Sequence, residues 1–351
     1  MLQSSSIKRL METPAEQYFG VMPDGKRISS YTITNENGMQ LRVIEYGAAI
    51  TSLKVPLANG NVEDVVLGFD TIEAYLESIN LKAPPHFGAA IGRWSGRINK
   101  GQFALNQNNY QLGLNNGGHS LHGGRYGFSQ TVWKMERIST KNNPSITFSY
   151  LSPDGDEHFP GKLQVEVTYT ISEENELIVD FWAAAEEDTI VNLTQHSYFN
   201  LNGHRSHIAD QQLSVNAEKI LETIDMIPTG LALDVDGTPF DFRSPQNCPH
   251  TIDATFVLDK KTLLAATLFN PRNKLKMAVY TTQPAVHIYV GGDCFNILKG
   301  KEDAGYHSLS GICFETQNFP DAPNHANFPD PILRKGQNYK HSTTYKFTAN
   351  D

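Results

Sequence analysis

Cysteine is scarce. Cys248, Cys294 and Cys313 are scattered through 351 residues, and none stands in a CxxC spacing. A disulfide framework or a thiolate zinc site is therefore not expected, and reduced thiols in a cytoplasmic protein are the simpler reading. Long apolar runs are missing too: no stretch approaches the ~20 apolar residues of a membrane span. The opening MLQSSSIKRLMETPAEQYFG has Lys8 and Arg9 with no apolar run behind them, which is not the pattern of a secretory signal. Positive charge is in deficit, 29 Lys and Arg against 38 Asp and Glu for a net of −9, and no basic run or stripe occurs. Phosphate neutralisation needs clustered cations, so nucleic acid is not an expected partner. The chain also lacks GxGxxG, a P-loop and GxSxG, which removes the usual support for a nucleotide or an activated serine.

What the sequence does have is turns and alternation. Its 27 glycines and 18 prolines are spread rather than bunched, as many short strands require. In QVEVTYTI, Val165, Val167, Tyr169 and Ile171 share a face; after SEENE, LIVDFWAAA repeats the period with Leu177, Val179, Phe181 and Ala183. This predicts a hairpin with one buried face. SITFSYL, KMAVYTT and AVHIYVGG read as further strands. Helical signals are few: DTIEAYLESIN predicts a short helix capped by Asp70, and DKKTLLAATLFN fits helix or strand. With too few helices for parallel crossovers, the expectation is an all-β fold, a large antiparallel β-sandwich. It predicts an N-terminal arm over residues 1–20 and one domain over 21–351.

Four loops gather polar residues beside glycine. GAAIGRWSGRINKGQF holds Arg93 and Arg97, each directly after a glycine. NNGGHSLHGGRYGF holds His119 and His122, three apart; a helix could turn both toward a metal, but the glycines oppose a helix and no acidic or cysteine ligand lies nearby. No metal is therefore expected, and a loop histidine facing a ligand competes with one that braces a turn. NLTQHSYFNLNG puts His196 and Tyr198 on one face if extended, a mixture of ring and polar group that suits a sugar but also suits a satisfied core histidine. GICFETQNFPDAPNH places Glu315 at the end of an apolar run among amides, a candidate base or a structural carboxylate. Asp253, in HTIDATFVL, is a further isolated acid. Histidines and carboxylates without a cofactor motif suit proton transfer.

Taken in order, DVVLGFDTIEAYL, GRWSGRI, SLHGG, SPDGDEHFPG, NLTQHSYFNL, IPTG and GICFETQNFPDAPNH resemble the aldose 1-epimerases from about Gly20 to the C-terminus. That resemblance implies a large antiparallel sandwich and a cofactor-free isomerase acting on a small monosaccharide. By motif position it implies Glu315 as general base and His196 as general acid. His122, Arg97, Asp253 and Tyr198 are implied as groups that hold or line the sugar. The chain departs from the family pattern at four places. Gly96 stands for asparagine, Ala254 for histidine, His287 for glutamine and His158 for glycine. Gly96, Ala254 and His287 are expected to line or border the pocket, with His287 among the substrate-binding residues. A monomer or weak homodimer is expected. The alternatives are a non-catalytic sugar binder on the same scaffold, an epimerase for phosphorylated or pentose sugars, and a glycoside hydrolase pairing Glu315 with Asp253.

Overall fold

The computed structural model describes residues 16–259, 261–291 and 299–349. Most of the expected N-terminal arm, and Cys294, lie outside these. Residues 17–20, assigned to that arm, instead begin a strand, Gln17–Val21, which pairs with Arg27–Thr34.

Three antiparallel sheets dominate. The largest has nine strands and contains the predicted hairpin, Leu163–Ile171 against Glu176–Ala185, with Val167 opposite Phe181 and Tyr169 opposite Val179. The hairpin is flanked by Ser145–Ser152 and the long C-terminal strand Asn338–Ala349, and Leu275–Thr281 pairs with the far edge of the latter. A six-stranded sheet runs in the order Tyr198–Phe199, Ile312–Gln317, Ala285–Val290, Ile252–Val257, Lys219–Ile224, Ile227–Asp234. A five-stranded sheet is formed by the N-terminal strands from Gln17–Val21 to Val62–Asp64. The ambiguous DKKTLLAATLFN supplies a strand, Leu264–Phe269, of the nine-stranded sheet.

Alternation explains why the sheets stack. Every second residue of Leu163–Ile171 is buried, and these side chains join one core with Tyr31, Phe256, Ile288 and Phe314 from the other two sheets. Each fully buried residue of this kind contributes about 1.5–3 kcal/mol relative to exposure. Polar bonds also cross between layers: the Tyr345 hydroxyl donates to the Phe314 carbonyl (3.2 Å) and that of Tyr169 to the Ala48 carbonyl (2.8 Å).

The one α-helix among the described residues is Ile72–Ser78. Its cap is Thr71, whose hydroxyl accepts the Ala74 N–H, and not the expected Asp70, which stands one residue too early. No helix among the described residues is long and apolar enough to cross a membrane.

Candidate active site

The site is built on the face of the six-stranded sheet that points away from the main core. In Ile312–Gln317 all residues are buried, but to two sides: Ile312 and Phe314 enter the main core and Thr316 bonds to His341 and Thr343 of the nine-stranded sheet, while Cys313 and Glu315 face the other way. The next strand repeats this, with Val286 and Ile288 in the core and His287 opposite Glu315. In the third, Thr255 pairs with His287 and Asp253 shares its face, while Ala254 and Phe256 are in the core. Period two thus gathers Glu315, His287, Thr255 and Asp253 on one surface. It also corrects one expectation: Ala254 points into the core, because its neighbour Asp253 has the site face.

His196 arrives by a different route. The expected continuous strand through NLTQHSYFNL is interrupted. Thr194–Gln195 pairs with Ala90–Ile91, Tyr198–Phe199 pairs with Cys313 and Ile312, and His196 sits at the break. Gln195 braces the break by accepting the Ser197 N–H and donating to the Ser197 hydroxyl and the Gly88 carbonyl. The His196 Nε2 then lies 3.5 Å from Glu315 Oε1, and its Nδ1 lies 3.6 Å from Cys313 Sγ. Tyr198 is 2% exposed and backs the imidazole, ring centroids 5.3 Å apart, with Phe87 behind it.

His122 completes the near wall, its ring centroid 5.3 Å from that of His196. The Gly96 N–H donates to its Nδ1, so the neutral ring carries its proton on Nε2. Gly96 has φ +76°, and a Cβ there would meet Pro320 at 3.1 Å. A third imidazole, His86, lies against both, with centroids 5.4 Å from His122 and 6.0 Å from His196, and its Nδ1 is 3.0 Å from the Ser129 hydroxyl. Nothing in the sequence singles out His86: it stands alone in PPHFG, with no spacing to a partner.

The two arginines part company. Arg93 is 2% exposed and donates to the carbonyls of Pro153, Pro160 and Gly161, so it holds the SPDGDEHFPG loop. Arg97 is half-buried, donates Nε–H to Asn116 (3.0 Å) and extends its charge to Asp253, His287 and Glu315. His119 braces a turn by accepting the Lys100 N–H, and His158 is exposed in a turn at φ +71°, a backbone region that favours the glycine of the family pattern.

Burial governs the charges. It lifts Glu315 to about 7, a rise that Asp253 reinforces and that His287 and Arg97 oppose. It holds His196 down at about 4, helped by His287, and His86 at about 3. His122 is pushed well below its ordinary range by burial and then by His196 and His86. These three rings are neutral near pH 7. For His287, burial acts downward, but the hydrogen bond and charge of Asp253, with the charge of Glu315, raise it overall. Its Nε2 is 3.0 Å from Asp253 Oδ1, and its Nδ1 is 2.8 Å from the Thr255 hydroxyl.

Ligand atoms of His122, His196 and Glu315 lie within 4.8 Å of one another, close enough to share one hydroxyl group or one ion. A groove of about 650 Å³ that includes Trp182, Asp180, Glu166 and Lys340 opens elsewhere, on the nine-stranded sheet; it has a single imidazole, His341, and none of the residues gathered here.

Residues 29–346 match the family model described as aldose 1-epimerase. The chain is 39% identical over 351 residues to galactose mutarotase of Homo sapiens, covering 97% of this chain and all of that one. It is 32% identical to aldose 1-epimerase of Escherichia coli, covering 97% of this chain and 99% of that one. Among solved structures, galactose 1-epimerase from Lactobacillus acidophilus superposes with a TM-score of 0.83 at 27% identity, over 97% of this chain and 100% of that one.

Proposed function

The chain belongs to the aldose 1-epimerase family, and from that premise we propose that it interconverts the α and β anomers of free aldohexoses such as galactose and glucose, with Glu315 and His196 as the proton-transfer pair. The observation that carries the reading is the 3.5 Å approach of His196 Nε2 to Glu315 Oε1 in a buried site.

A cyclic aldose opens when the anomeric hydroxyl loses its proton and the ring oxygen gains one. Glu315 takes the first proton, and His196 supplies the second from Nε2. The C1–C2 bond turns, and the reverse transfers close the ring on the other face of the carbonyl. Atoms and charge balance, because the pair holds one proton before and after. With Glu315 at about 7 and His196 at about 4, that proton rests mainly on Glu315 between these limits, and the placement that starts ring opening, carboxylate beside imidazolium, is the minor one of the two. The two placements, on the carboxylate or on the imidazole, are the two states the cycle alternates between. Each such group typically contributes about 10²–10⁴-fold in rate.

His122 offers an Nε2–H toward the sugar oxygens. Arg97 and Asp253 supply a cation and a carboxylate for hydroxyls, and His287 shares that work through Asp253. The free, buried thiols Cys248 and Cys313 support a reducing, cytoplasmic setting.

The test is polarimetry on freshly dissolved α-glucose and α-galactose. The expected result is accelerated approach to equilibrium rotation, lowered about 10²–10⁴-fold in Glu315→Gln. A protein that binds galactose without accelerating the change is a sugar binder on this scaffold. Release of nitrophenol from a nitrophenyl glycoside would point to hydrolysis by Glu315 and Asp253.

A further inference from the structure

We propose that His287 is a positioning residue that carries positive charge into the site and sets the pH range over which Glu315 accepts a proton. This rests on the acid/base reading above and goes beyond holding a sugar hydroxyl.

The geometry comes first. His287 and Glu315 are direct partners on adjacent antiparallel strands, on the same face. Side chains so placed start about 4.5–5.5 Å apart at Cβ, within strong mutual influence when both are withdrawn from water. Both ring nitrogens of His287 are held, Nε2 by Asp253 and Nδ1 by Thr255. The Thr255 hydroxyl accepts from a protonated Nδ1 and donates to a deprotonated one. The ring therefore gains or loses its proton without turning.

The charges facing His287 are Asp253 from the strand Ile252–Val257, Glu315 from Ile312–Gln317, Arg97 from the short strand Arg97–Ile98, and the imidazoles of His122 and His196. Two carboxylates favour its charged form, Arg97 opposes it, and the neutral imidazoles add little. Burial works against the charge, but Asp253 and Glu315 together more than compensate. The influence is reciprocal: an imidazolium beside Glu315 favours the carboxylate over the acid. A glutamine here, as in the family pattern, would leave Glu315 without that support and offer Asp253 a neutral amide in place of a cation.

The experiment has two independent readouts. In the first, the ring of His287 is followed by NMR against pH in the full chain, assigned by its absence from His287→Gln. The expected midpoint lies above 6.5 and falls by about one unit in Glu315→Gln and in Asp253→Asn. In the second, kcat/KM for galactose mutarotation is measured against pH, and the profile of His287→Gln is expected to move alkaline by about one unit. A His287 midpoint below 6.5 that Glu315→Gln leaves unmoved would overturn the proposal, as would an unshifted rate profile. The NMR coupling needs no turnover. Loss of the acid/base reading would instead show as near-normal mutarotation by Glu315→Gln, whatever His287 does.

Discussion

The imidazole of His196 and the carboxylate of Glu315 meet Nε2 to Oε1 at 3.5 Å, each only 4–5% exposed at the side chain. The contact depends on the pairing of Tyr198 with Cys313, which fixes the segment after His196 to the strand bearing Glu315. Two groups that share one proton behave as a unit, so their removal is not additive.

The first expectation follows directly. Glu315→Gln and His196→Asn should each lower kcat by about 10²–10⁴-fold, and the double variant should lose little more than the worse single one. Steady-state mutarotation with circular dichroism as a folding control checks this. Multiplicative losses would show that the two groups act independently rather than as a unit.

The pH dependence of kcat/KM should be a bell belonging to the pair. Below about 4 the pair carries two protons and Glu315 cannot accept one; above about 7 it carries none and His196 cannot give one. The alkaline limb should therefore begin near neutrality. A rate that climbs steadily through pH 8 would assign the acid to another group.

Arg97→Ala should act mainly on KM. A charge-assisted hydrogen bond contributes about 1.5–3 kcal/mol, which corresponds to a rise of about 10–100-fold in KM, with a smaller change in kcat. An equal fall in kcat with KM unchanged would instead place Arg97 in the transition state alone.

Stability should hinge on a pair away from the site. Lys301 is 5% exposed, and its ammonium bonds to Asp64 (2.8 Å) and the Thr51 carbonyl. Asp64 lies well below its ordinary range: burial pushes upward, but Lys301 and His204 prevail. Asp64→Asn leaves a buried cation unpaired and should cost about 3–5 kcal/mol in urea unfolding. A loss under 1 kcal/mol would mean that water reaches Lys301.

The alternation of Val165 to Ile171 and of Leu177 to Ala183 made the central hairpin legible, because one face is buried along its whole length. Legibility ended where alternation ended. The break at His196 depends on Gln195 folding back on its own turn, and no propensity announces that. His86 joins the imidazole cluster only through tertiary packing. Glu315 stood out as an acid closing an apolar run, but on residue chemistry alone it was equally a structural carboxylate. The ordered set of loop motifs was needed to favour the base. Arg93 and Arg97 look alike in sequence, each after glycine, and separate only once the terminal nitrogens of Arg93 are seen held by three carbonyls and the Ser152 hydroxyl. Ala254 was misplaced for a simple reason: its neighbour Asp253 already has the site face, and adjacent residues of a strand point opposite ways.

The strand bearing Glu315 has almost no freedom. Phe314 receives the Tyr345 hydroxyl, the Thr316 hydroxyl is tied to Thr343 and His341, and the Thr316 carbonyl is tied to Thr194. An opened aldose must show first one side of its carbonyl and then the other to the same immobile oxygen, so the tumbling belongs to the sugar. On the proposed chemistry, a wall that stays put meets both ring forms with one set of contacts and, like any catalyst, hastens their exchange without altering their final proportion.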